Sequence, residues 1–226
     1  MSSCLRDPLN HFTTGSFSVS ASRKSFLFCL CVCLAVSLVT SSALAISRQV
    51  NLNEMTAGAG RVVHGRISEV RRGVHPDYNH IAVTFVTLDV IEMLKGRAAT
   101  RLTFMQFAGA AQARTHNYHL PKYAVGEEVV LFLYPESRYG FTSPVGEGQG
   151  KFQVSHDPRT GRAALLNERG NYLLFEPLKN ETAKSRLKLN AAEHALITQS
   201  RGAADLDTFR AVVRKLVTSG SAVKTS

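Results

Sequence analysis

The spacing of apolar side chains divides the chain into three regimes. Phe26 to Val39 (FLFCLCVCLAVSLV) is an unbroken apolar run without charge. Between Arg61 and Leu166 apolar and polar positions alternate in short bursts with period two, the spacing of half-buried strands. From Leu206 to Val217 the apolar positions Leu206, Phe209, Val212, Val213, Leu216 and Val217 recur every three or four residues, which places them on one helix face. Acids occupy the first turn of that helix and Arg214 and Lys215 the last, in keeping with the helix dipole.

The middle regime predicts about seven strands. In Arg61–Arg71, Val63, Gly65 and Ile67 share one face and His64, Arg66 and Ser68 the other, with Gly65 marking a bend or a close approach. Ile81–Leu94 is long and apolar on both faces in its first half, the pattern of a strand that bends around a barrel or switches sheets. Thr100–Phe107 follows, and Val129–Tyr134, the most apolar segment after the N-terminal run, predicts a central strand closed by Pro135. Tyr139–Ser143, Gly150–Ser155 and Arg162–Leu166 complete the set, the last two joined by a hairpin loop. A helical turn is expected after Asn51 and a short helix over Ala191–Ser200, with Leu178–Asn190 as a basic connector. The fold expected is mainly β, a small antiparallel barrel or sandwich with a C-terminal amphipathic helix. The expected divisions are 1–45, 46–170, 171–204 and 205–226.

The N-terminal run changes where this fold is expected to work. Arg23 and Lys24 precede it and Ala43-Leu44-Ala45 follows it, the layout of a secretory signal cleaved after Ala45. Its 14 residues fall short of the roughly 20 that a membrane-crossing helix needs. The mature chain is therefore expected in the periplasm or secreted, with no transmembrane segment. All four cysteines (Cys4, Cys29, Cys31, Cys33) lie in the segment removed, so the domain has no disulfide to rely on. Of the net charge of +10, cleavage removes Arg6, Arg23, Lys24 and Asp7, leaving +8. That excess suits an anionic envelope polymer contacted by Arg61, Arg66, Arg71 and Arg72, and it equally suits solubility alone.

Candidate chemistry is sparse. Ala108 to Gly126 is a long loop, of the kind that often carries function, and holds His116, Tyr118, His119 and Tyr123. Aromatic residues on such a loop make good partner-binding anchors. Zinc would need three or four converging ligands, and no HExxH or carboxylate-bearing motif accompanies His116 and His119, so no metal or cofactor is expected. No serine sits on a glycine-flanked strand-to-helix elbow, and Glu127-Glu128 stands at a strand entry where a solvated charge is usual. Gly146 to Lys151 is glycine-rich but precedes a strand, so it reads as a tight turn and not a phosphate cradle. Export and the lack of aromatics interleaved with basic residues argue against nucleic acid.

Val63-His64-Gly65-Arg66-Ile67, Val90 to Gly96 (VIEMLKG), Val125 to Leu133 (VGEEVVLFL) and Gln149-Gly150-Lys151-Phe152, in that order, resemble a group of uncharacterised exported bacterial proteins. In more distant outline the chain resembles the OB-like barrel of netrin modules and tissue inhibitors of metalloproteinases. The resemblance implies an OB-like fold and protein–protein binding. The inhibitors' N-terminal cysteine has no counterpart in the mature chain, so no inhibitory residue carries over. The leading reading is a non-enzymatic exported binding module of unknown ligand that works through the 108–126 loop and adjacent strand ends, its partner another exported protein or an anionic envelope polymer. A metal-assisted hydrolase using the loop histidines and an envelope protein attracted to anionic polymer stand as alternatives. Elemental analysis of purified 46–226 separates them: the binding reading expects a metal-free protein, and near-stoichiometric zinc, copper or iron would put His116 and His119 in a site.

Overall fold

Five consecutive apolar side chains, Val129 to Leu133, are fully buried, so the strand that carries them needs a core against each face. The computed structural model, which describes residues 48–108 and 120–220, supplies both. The elements run α1 (Leu52–Gly58), β1 (Arg61–Val74), β2 (Ala82–Lys95), β3 (Arg101–Phe107), β4 (Glu128–Leu133), β5 (Lys151–His156), β6 (Ala163–Asn167), α2 (Glu181–Leu187), α3 (Ala191–Thr198), β7 (Ala204–Asp205) and α4 (Leu206–Thr218). The seven strands form one antiparallel sheet in the order β3-β2-β1-β4-β5-β6-β7. The mainly β fold with its C-terminal helix is thus as expected.

One core gathers Val129, Leu131 and Leu133 of β4 with Val63 and Ile67 of β1, Val86 and Leu88 of β2, and Leu102 and Phe104 of β3. The other takes the alternate β4 side chains, Val130 and Phe132, together with β5, β6 and the helices. Its centre is Phe209 of α4, wholly buried and packed against the rings of Phe152 at 5.1 Å, Phe132 at 6.2 Å and Phe175 at 6.5 Å. Asp205 caps α4 by accepting from the Thr208 amide at 2.9 Å, and Lys215 reaches the buried Glu193 carboxylate of α3.

The two long strands bend as their apolar pattern predicts. The β1–β2 ladder shifts register at three points, one of them between His64 and Gly65. A Cβ on Gly65 would lie 2.7 Å from the Asp89 carbonyl oxygen, so only glycine admits that approach. Residues 141–145 reach across from the C-terminal part of β3 to the C-terminal end of β4. Met105 bridges Phe141 in parallel and Leu133 bridges Pro144 antiparallel, while the Thr142 amide donates to Met105 and the Val145 amide to Phe132. The 141–145 segment thus links β3 to β4, and β4 pairs back on β1 at residues 61–66.

Two expectations need correction. Tyr139–Ser143 is not a strand: the Ser137 hydroxyl accepts from the Tyr139 and Phe141 amides, Gly140 turns with φ 76°, and only single bridges remain. The seventh strand is instead Ala204–Asp205, two residues paired with β6 and too short to show a period. The 178–190 connector holds a helix, α2, capped by Asn180. Leu187 is its one buried residue, so no apolar stripe announced it. Among the described residues no helix is long and apolar enough to cross a membrane.

Phe209→Ala should remove about 3–5 kcal/mol of stability through the cavity it leaves among three other rings. Urea denaturation would show it as a lowered midpoint at unchanged slope; a loss below about 1 kcal/mol would mean that α4 is peripheral to the core.

Candidate functional site

The end of the sheet where β3 and β4 are tied together is also where apolar surface meets solvent. Nine large hydrophobic side chains are exposed among the described residues, and five of them, Val74, Tyr78, Phe107, Tyr134 and Tyr139, lie at this end. Such a concentration is a candidate interaction surface, whereas scattered exposure would need no explanation. Two turns build it. Residues 75–81 connect β1 to β2, closed by the His75 amide donating to Ile81 and the Ile81 amide to Tyr78. Residues 134–144 follow β4 and double back through the Ser137 turn.

His75 joins the two turns. It is 3% exposed; its Nδ1 accepts from the Asp77 amide at 3.0 Å and its Nε2 donates to the Tyr139 carbonyl at 2.8 Å. Those bonds define a neutral imidazole with Nε2 protonated. Around it the rings run in contact: Phe107 stacked on Phe141 at 4.1 Å, Phe141 to His75 at 5.2 Å, His75 to Tyr78 at 4.9 Å, and Tyr78 to Tyr139 at 5.7 Å. The Arg138 guanidinium lies over the Tyr139 ring at 4.6 Å.

Beside the rings runs a groove of about 690 Å³ walled by Phe107, Phe141, Tyr134, Pro135, Pro144 and Leu120, with Arg48, Gln106, Ser137, Thr142, Ser143 and Glu147 among its polar positions. Gln106 is 7% exposed; its amide donates weakly to Pro121 at 3.4 Å, and its Oε1 has no hydrogen-bond partner among the described residues. Arg48 is paired with Glu54 at 3.2 Å. Glu147 has backbone φ 64°, left-handed for a non-glycine residue, directly after Gly146 at φ 67°. The buried Gln149 secures this turn, accepting from the Val50 amide and donating to the Arg48 carbonyl, each at 2.9 Å.

Tyr123 and the four arginines expected from sequence fall elsewhere. His116, Tyr118 and His119 lie outside the described residues. Tyr123 is packed against the core beneath β1–β4, its ring edge-on to Phe104 at 5.5 Å and beneath the Lys151 ammonium at 4.8 Å. Its hydroxyl is buried without a partner among the described residues, and that burial, with the nearby Glu127 charge, pushes its ionisation far above the ordinary tyrosine range. The four arginines are spread along β1 and do not form one patch. Arg61 pairs with Glu136 at 2.8 Å, Arg66 with Glu128 at 2.8 Å, and Arg71 lies over Phe85 at 4.4 Å with Glu69 at 3.7 Å. Arg72 stands exposed on a rung with Thr84 and Gln106.

A second polar cluster crosses the other half of the sheet. Glu128 of β4 accepts from His64 Nε2 at 2.9 Å, Arg66 at 2.8 Å and His156 at 3.2 Å. His64 is buried, and its Nδ1 faces Arg210 of α4 at 3.5 Å; Arg210 and Arg214 both hold Glu92 of β2. An arginine stands at His64 Nδ1, where a side-chain hydroxyl or thiol paired with the histidine as base would stand. Among the described residues no group of three or more His, Cys, Asp or Glu is arranged to hold a metal. The cluster fastens α4 to the sheet. Burial raises the Glu128 pKa, but the hydrogen bonds and charges of His64 and His156 outweigh it and hold the carboxyl below the usual 4.5.

Sequence reasoning passed over the ring cluster because its members sit in turns, outside any periodic segment. The available signal was aromatic residues inside turn-forming stretches, His75-Pro76-Asp77-Tyr78 and Tyr134 to Phe141.

A carboxyl depressed by folding stabilises the fold above its unfolded pKa, and that contribution is lost as pH falls through the folded value. Glu128→Gln should therefore flatten the loss of stability below about pH 4.5 and lower stability at neutral pH by about 1–3 kcal/mol. Urea midpoints across pH 2–8, the span in which carboxylates titrate, would show it; parallel profiles for variant and parent would assign acid sensitivity to other groups. No protein-family model and no curated protein matches the chain.

Proposed function

We propose that the chain is a non-enzymatic binding module, exported to the periplasm or the medium, whose recognition surface is the aromatic groove at the β3–β4 end of the sheet. One observation carries the reading: solvent-facing rings are fixed by two turns that a single buried histidine joins. Rigid aromatic anchors of this kind give binding energy at small entropic cost. The 141–145 segment linking β3 to β4, with β4 pairing back on β1, supports a partly open OB-like barrel, a fold that recognises partners with its loops and one strand face. The N-terminal layout and the cysteine-free remainder support export. The anionic-polymer alternative is weakened by the carboxylates that already occupy Arg61 and Arg66.

Immobilised 46–226 should retain a saturable partner from the envelope or secreted fraction of the source cell. A Phe107→Ser/Tyr139→Ser variant should lose about 2 kcal/mol or more of that affinity. Both side chains are solvent-facing, so its thermal midpoint should stay close to the parent's. Undiminished capture by the double variant would remove the groove from recognition.

A further inference from the structure

We propose that a cleft between two turns binds a terminal phosphoryl group through Arg169 and Arg201. The cleft is about 300 Å³ and is lined by Gln49, Arg169, Gly170, Tyr172 and Arg201. None of these residues borders the aromatic groove.

Buried asparagines fix the first turn. The Asn167 Oδ1 accepts from the Arg169 amide at 3.0 Å and the Asn171 amide at 2.9 Å, and the Asn171 Oδ1 accepts from the Asn167 amide at 3.0 Å. Three bonds staple this turn to residues 200–202: the Gly202 amide donates to the Gly170 carbonyl, the Leu173 amide to the Ser200 carbonyl and the Asn171 Nδ2 to the Gly202 carbonyl, each at 2.9 Å. Arg169 and Arg201 directly precede the two bonded glycines, so the fold brings them next to each other. No atom lies within 4 Å of where a Cβ on Gly170 or Gly202 would stand, which leaves the main chain beside both arginines open to a ligand. Gln49 ties in a third segment by donating to the Tyr172 carbonyl at 2.8 Å.

Two guanidiniums held together repel, and where this fold converges arginines elsewhere it gives them a carboxylate, as Arg210 and Arg214 share Glu92. In the cleft no carboxylate is present, and the neighbouring Glu168 side chain lies against Gly148 instead. Neither guanidinium has an ion pair or a hydrogen bond among the described residues. Arg201 lies over the Tyr172 ring, 5.6 Å from its centre, a contact that orients the fork without consuming its N–H donors. The cleft therefore offers two guanidinium forks and the Tyr172 hydroxyl, donors around uncompensated positive charge. A carboxylate is satisfied by one fork. A terminal phosphoryl group brings three acceptor oxygens and a charge of about −1.5 to −2, so it can engage both forks at once and offset their repulsion.

Isotope-labelled 46–226 is titrated in chloride buffer with inorganic phosphate, glycerol phosphate and acetate, reading the Gly170 and Gly202 amide shifts. Both phosphates should shift these glycines saturably with a Kd of about 1 mM or tighter, and acetate should bind about tenfold more weakly. Arg169→Gln and Arg201→Gln should each weaken phosphate about tenfold. Arg201→Lys should lose nearly as much, because an ammonium keeps the charge without the fork. Arg159→Gln, at an exposed arginine of the β5–β6 hairpin, should change nothing. Thermal midpoints without phosphate should stay close to the parent's, since both cleft arginines are exposed. Flotation with phosphatidylcholine vesicles, with and without phosphatidic acid, identifies the carrier. Retention that needs both phosphatidic acid and Arg169 assigns a lipid headgroup; glycerol phosphate binding without retention assigns a soluble phosphate ester. Shifts linear in phosphate, or equal affinity for acetate, would overturn the proposal. So would an Arg159→Gln loss equal to that of Arg169→Gln, which would reduce the effect to diffuse attraction by a basic surface.

Discussion

The burial of β4 on both faces is the constraint from which the rest of the architecture follows. Val129, Leu131 and Leu133 can leave water only if β1, β2 and β3 bend over them, and Val130 and Phe132 only if helices cover the opposite side. A flat sheet with one solvated face would expose one of the two sets. The bend requires the register shifts of the β1–β2 ladder and the close approach at Gly65, and the helical cover requires α4 to be held down. Phe209 does so by packing, and Glu92, with Arg210 and Arg214, does so by charge. No cysteine follows residue 45, so these two cores and their fastenings hold the domain without covalent help.

The same bend produces the groove. Drawing β3 and β4 together leaves a gap at one end, which residues 141–145 fill with single bridges instead of a full ladder. The Ser137 turn lets Phe141 lie flat on Phe107 and leaves the outer rings in water. His75 makes this arrangement rigid, since both of its nitrogens are committed to main-chain groups of different turns. Exposed rings on a mobile loop would pay an ordering cost on binding; rings braced in this way have already met it during folding.

How far the sequence discloses this molecule depends on whether a feature is periodic. The long strands, the central VVLFL segment and the α4 stripe repeat over enough residues for their period to register, and they lie where the pattern puts them. The two-residue β7 and the seven-residue α2 are too short for any period, and tertiary partners decide them. The site is legible only in part. Tyr123 stands out in sequence as an aromatic residue on a long loop, yet its ring belongs to the core; Tyr78 and Phe107 look like turn and strand-end residues, yet they face water. Exposure is set by neighbours distant in sequence, and no local reading supplies those.

Glu147 illustrates a different kind of signal, one that composition hides and backbone geometry reveals. In the sequence Gly146-Glu147-Gly148-Gln149-Gly150 the glutamate looks like filler between turn-forming glycines. In the structure it sits in a left-handed conformation, φ 64°, that glycine adopts without steric strain. Gly150 has a reason that no larger residue could meet, since a Cβ there would come within 2.6 Å of the Val145 carbonyl oxygen, and one on Gly148 would require the Glu168 side chain to move. Glu147 has no such packing reason and no ion-pair partner among the described residues.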